Sequence, residues 1–170
     1  MSTGHDNKRL LAWLEDAYAM EQEAETMMKA MASRIEHYPE LRKRIEDHVQ
    51  ETKWQAEQLA GCINQLGGSL PDMKGALAKT MAGIHAMGNA MMSDEVAKGV
   101  GISYAFEHME IASYRALVIA ARRVGQEKIA EVLESILRQE ESMAEWLLEH
   151  QPAIIEAFLQ REEADVTAKR

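Results

Sequence analysis

The stretch SYAFEHMEIASY, residues 103–114, sets a glutamate inside an apolar stripe. At helical spacing Val100, Tyr104, Glu107, Ile111, Tyr114 and Val118 share one face. A buried carboxylate is costly unless a cation, a shared proton or a metal meets it. The pattern has an earlier copy: AYAME at 17–21 matches SYAFE at 103–107, so Glu21 corresponds to Glu107. A further correspondence, QET at 50–52 with EES at 140–142, pairs Glu51 with Glu141. Two matches in the same order, each with a glutamate, point to a two-helix unit followed by its copy. Four acids near the middles of four helices would repel one another unless cations or protons neutralised them. Carboxylate oxygens are hard donors suited to divalent iron or manganese, and two such ions would balance four carboxylates.

Di-metal carboxylate bundles take one Glu from each of two helices and Glu-x-x-His from each of the other two. Glu21 and Glu107 meet the first half of that rule. The second half is not met, because Trp54 follows Glu51 by three and Ala144 follows Glu141 by three. Substitute donors are nearby. His48 lies three residues before Glu51 on its face, and Gln55 and Glu145 stand one turn beyond Glu51 and Glu141. Glu110 lies three residues after Glu107, whereas the adjacent His108 turns away. The candidate metal ligands are therefore Glu21, Glu51, Glu107, Glu141, Glu145, His48 and Glu110. Glu140, in helical register with Ile136, Met143 and Leu147, competes with Glu141 for the inward position. Tyr18 and Tyr104 precede the paired glutamates by three, as packing residues or as hydrogen-bond partners of a ligating carboxylate.

These residues need helices to converge them. Four helical segments are expected, at about 5–35, 39–66, 93–124 and 126–149. Pro39 suits a first turn, Gly67-Gly68 and Gly125 suit stops, and Ser93 followed by two acids suits a start. A shorter amphipathic helix is expected at about 153–162, after Pro152. Residues 69–92 are too long for a turn; Met73, Leu77, Met81, Ile84 and Met87 give them a weak methionine-faced helix. Short, long and short connections predict an all-α, ferritin-like antiparallel four-helix bundle, with a long crossover between helices 2 and 3 and a short C-terminal helix.

Composition narrows the function. The chain has 170 residues, enough for a single domain, and a formal net charge of −9. That balance argues against nucleic acid and anionic membrane surfaces as partners. No apolar run has the length of a membrane span, and MSTGHDNKR lacks the apolar core of a signal peptide. The single cysteine, Cys62, forbids an intramolecular disulfide and fits a reducing cytoplasm. Twelve methionines read first as helix-packing filler.

HYPELRKRIEDHVQETKWQ, SYAFEHMEIASY and EESMAEWL together resemble the YciE branch of the YciE/YciF family of bacterial ferritin-like proteins. The similarity runs from about residue 8 to the C-terminus. It implies a closed bundle related to rubrerythrin and ferritin, a homodimer, and an association with bacterial stress responses. It also implies that Glu21, Glu51, Glu107 and Glu141 bind metal, with Glu145 where an aspartate is common. Gln55 departs from the histidine many members carry. The expected function is a di-metal protein with two iron ions, or manganese, open to peroxide, dioxygen or ferrous-iron oxidation chemistry. The alternative is a metal-free, non-enzymatic helical dimer acting by contact.

Overall fold

A computed structural model describes residues 3–71 and 95–164. Among the described residues the fold has four helices: α1 (Thr3–Arg34), α2 (Pro39–Gln65), α3 (Glu95–Arg123) and α4 (Glu127–Glu163). No strand occurs among the described residues. The crossover helix expected within 69–92 and the start at Ser93 fall on 72–94, outside the described residues.

Local chemistry explains the boundaries. Pro39 opens α2, where its missing N–H costs no helical bond. Gly67, at φ 76°, closes it: its N–H bonds to the Asn64 carbonyl at 3.0 Å, and Gly68 N–H reaches Ile63 at 3.0 Å. This Schellman arrangement satisfies carbonyls the helix end would orphan. Gly125, also at φ 76°, repeats it, with Gln126 N–H on the Ala121 carbonyl at 2.9 Å. Gln126 is already the N-cap of α4, so α3 turns into α4 with minimal connection.

α4 corrects one expectation. The separate C-terminal helix is its last turns, and Pro152 lies inside it. Proline removes one helical bond, to the carbonyl of Leu148. Both residues lie on the exposed face. Beyond them Ile154 and Phe158 are buried in the same core cluster as Tyr38, Leu41 and Ile45, which holds the helix on course.

The helices pack as two hairpins, α1–α2 and α3–α4, joined by α1 against α3 and α2 against α4. Ser103 meets Met31 while Tyr114 meets Glu21, so α1 and α3 are antiparallel. Gln55 meets Gln139 while Gln65 meets Gln126, so α2 and α4 are antiparallel too. α2 therefore ends, and α3 begins, at opposite ends of the bundle, as the ferritin-like topology requires. None of the described helices is long and apolar enough to cross a membrane.

The core is split. One apolar cluster runs from Ala24, Ile45 and Val100 to Phe158; the other from Leu10, Leu59 and Leu117 to Ile136. Between them lies a polar layer, and it contains the buried polar and charged side chains Glu21, His48, Thr52, Gln55, Glu107, Glu110 and Glu140.

Candidate metal centre

Each helix feeds this layer through its inward stripe. α1 supplies Glu21. α2 supplies His48, Thr52 and Gln55 at steps of four and three. α3 supplies Glu107, Glu110 and Tyr114, and α4 supplies Glu140. Ligand atoms of His48, Glu107, Glu110 and Glu140 all lie within 4.8 Å of one another.

The imidazole organises one side. His48 Nδ1 lies 2.5 Å from Glu51 Oε2. A carboxylate only accepts, so Nδ1 carries the proton and Nε2 turns to the acids. Nε2 is 3.3 Å from Glu107 Oε2 and 3.2 Å from Glu140 Oε2. Neither contact has hydrogen-bond alignment, and both oxygens remain without a hydrogen-bond partner. Glu51 itself is held by Arg44 Nη1 at 3.2 Å. The other side is differently held. Tyr114 O–H donates to Glu21 Oε1, and the Gln55 amide donates to Glu140 Oε1 and, at 3.0 Å, to Gln139.

Burial dominates the protonation of these groups. It pushes the Glu21 and Glu110 carboxyls well up, reinforced by repulsion from Glu140 on Glu21 and from Glu21 and then Glu140 on Glu110. It pushes Glu107 up to about 7, against the opposing pull of His48. Burial pulls His48 down, but Glu107, Glu140 and Glu51 outweigh it and leave the imidazole well above its usual value. Burial also pushes Glu51 up, yet His48 and Arg44 outweigh it and hold its carboxyl low. Tyr114 is raised well above an ordinary phenol by burial beside Glu21.

The layer suits a divalent cation on its own chemistry. Glu21 Oε2, Glu107 Oε2, Glu110 Oε1 and Glu140 Oε2 are buried with no hydrogen-bond partner. Buried polar atoms are ordinarily satisfied, and orphaned ones call for a missing ion or water. One imidazole and three carboxylates form an oxygen-rich donor set of the kind iron and manganese accept.

The expected ligands divide. Glu21, Glu107, Glu110 and His48 are in the layer. Glu51 reaches only the outer nitrogen of His48. Glu141 points out and pairs with Arg115 at 2.7 Å, and Glu145 is exposed. Glu140 takes the inward place: it is in step with the buried Ile136, Met143 and Leu147, while the next residue is turned about 100° round the helix toward Arg115. The stripes carried the signal. Ile45, His48, Thr52, Gln55 and Leu59 have the same steps as Leu133, Ile136, Glu140, Met143 and Leu147. Aligning them pairs Thr52 with Glu140, whereas matching QET to EES slips the register. Tyr114 was legible only as a stripe residue, and it, rather than Tyr18 or Tyr104, holds a layer carboxylate.

Residues 5–160 match the family described as a domain of unknown function, DUF892. The chain belongs to this family. A crystal structure of a protein from Xanthomonas campestris pv. campestris is 59% identical, covers 94% of this chain and 99% of its own, and superposes with a TM-score of 0.83. The crystal structure of the E. coli stress protein YciF shares the fold at 23% identity, TM-score 0.73, over 86% of this chain and 94% of its own. These findings agree with the YciE/YciF resemblance; the YciE branch rests on the quoted motifs alone.

Proposed function

We propose that this DUF892 protein binds iron or manganese in its buried carboxylate layer and serves in a bacterial stress response by reacting with peroxide or dioxygen. The observation that carries the reading is the set of orphaned oxygens on Glu107, Glu110 and Glu140 facing His48. These four residues would hold the ion. Iron or manganese supplies one-electron redox chemistry there, and carboxylate donors favour its higher oxidation states.

The protein's own groups set the conditions. Glu51 keeps a proton on His48 Nδ1, so that Nε2, once it gives up its own proton, is the nitrogen that would meet the ion. Two apolar clusters exclude bulk water from both ends of the layer. A cavity of about 10 Å³ abuts Glu107, walled by Met28, Ile45, Phe106 and Met143. It has room for one water-sized molecule beside the layer.

The competing reading is a metal-free helical dimer with protonated acids. The upward shifts of Glu21, Glu107 and Glu110 favour it, but it leaves the orphaned oxygens unexplained. Elemental analysis of protein purified without chelator separates the two. Bound iron or manganese, lost in Glu107→Ala, supports the metal reading. Protein that is metal-free and takes up neither ferrous nor manganous ion anaerobically overturns it. Peroxide consumption, assayed on the loaded protein, then tests the chemistry.

A further inference from the structure

The polar layer has two unlike halves. Around His48, the imidazole Nε2 faces Glu107 and Glu140, and Glu107, Glu110 and Glu140 each keep one unpartnered oxygen. Around Glu21, each hydrogen bond comes from a donor, the Tyr114 hydroxyl on Glu21 and the Gln55 amide on Glu140 and Gln139, and only Glu21 Oε2 and the amide oxygen of Gln55 stay unpartnered. An O–H or N–H aimed at a carboxylate occupies the lone pair a cation would use. The inward stripes repeat the asymmetry. A symmetrical pair of ions held by Glu-x-x-His on two helices needs Glu and His at each second-helix position. This chain has Thr52 and Gln55 on α2, and Glu140 and Met143 on α4. His48 supplies from α2 an imidazole near Glu140, where Met143 on α4 cannot. Among the described residues, no further metal-ligand group on the Glu21 side restores the acid lost at Thr52 or the imidazole lost at Gln55.

From this we infer that the chain binds a single divalent ion, held by His48, Glu107, Glu110 and Glu140, and that the Glu21–Tyr114–Gln55 half is a hydrogen-bonded wall rather than a second ion site. The inference rests on the metal-binding reading above and departs from the two-ion site implied by resemblance. Glu21 and Tyr114 are then positioning residues that fix the wall of the site.

The test is titration of chelator-treated protein with Mn²⁺ alone, followed by metal-to-protein stoichiometry and electron paramagnetic resonance. One ion per chain, with the six-line signal of an isolated Mn²⁺, is expected. Two ions per chain with an exchange-coupled signal overturn the inference and leave the metal-binding reading standing. No uptake of Mn²⁺ or anaerobic Fe²⁺ overturns both. The isosteric variants Glu21→Gln and Glu107→Gln, checked for helical content, locate the ion. Glu21→Gln should change affinity by less than about threefold and Glu107→Gln should weaken it at least about tenfold. Equal losses in the two variants overturn the assignment of Glu21 to the wall.

Discussion

Glu140 and Glu141 are adjacent in sequence and opposite in environment. Glu140 is fully buried among His48, Glu107 and Gln55; Glu141 is 42% exposed at the side chain and paired with an Arg115 that is 63% exposed. Glu140→Gln should therefore abolish tight metal binding, while Glu141→Gln should leave stoichiometry unchanged. Because exposed ion pairs contribute little, the second change should shift stability by less than about 1 kcal/mol in urea unfolding. Glu51 makes a subtler case. It does not touch the proposed ion but holds the proton on His48 Nδ1. Glu51→Ala should weaken Mn²⁺ binding by about 10–100-fold while stoichiometry at saturation is unchanged; affinity equal to wild type would mean that His48 needs no orientation. Glu21 and Glu107 were legible in the sequence because AYAME and SYAFE repeat within their stripes. Glu140 was legible only as a rival to Glu141. The short match of QET to EES follows composition, whereas side-chain direction follows the helical period. The Tyr114–Glu21 bond joins residues on different helices, and no local pattern announces it.

At the scale of the helices, starts and stops were legible wherever the backbone needs a special residue. Gly67 and Gly125 sit at positive φ at the ends of α2 and α3, and Pro39 opens α2. Pro152 misled for a physical reason: proline usually ends a helix, but here tertiary packing overrides the local preference. Ile154 and Phe158 bury themselves against the Tyr38–Ile45 region, so α4 gains more from continuing than it loses at one bond. Phe158→Ala should then destabilise the whole fold by about 3–5 kcal/mol, as loss of a core aromatic does. Pro152→Ala should leave stability unchanged or raise it by up to about 3 kcal/mol. Urea unfolding followed by far-ultraviolet circular dichroism reads both. A Phe158→Ala effect below about 1 kcal/mol would show that the last turns of α4 are an independent appendage.

Across the whole molecule, the bundle is two apolar halves separated by a charged seam, and the sequence foretold this only in part. Four amphipathic segments, with a long connection in the middle, dictate the antiparallel topology. The composition of the seam depends on which residue of each stripe reaches the same level in four helices, and that is fixed only by packing. The seam makes stability depend on pH with a defined sign. Unfolded glutamates titrate near 4.5 and unfolded histidine near 6.5. Glu21, Glu107, Glu110 and His48 all hold protons more tightly in the fold. Each contributes stability that is fully present below its unfolded value and is lost as pH rises through its folded value. Glu107, raised to about 7, by itself accounts for a loss on the order of 3 kcal/mol over that interval. Glu51 acts in the opposite sense, since its lowered carboxyl contributes stability above pH 4.5, but it is one partly exposed group against four buried ones. Metal-free protein in chelator should therefore be less stable to urea at pH 8 than at pH 5.5. A divalent ion needs Glu107, Glu110 and His48 deprotonated, so with saturating Mn²⁺ the trend should reverse, and stability should rise across that range. A metal-free protein equally stable at both pH values would mean that the seam's acids are not burdened by burial. A Mn²⁺-loaded protein that still weakens with rising pH would mean that the ion does not sit among them.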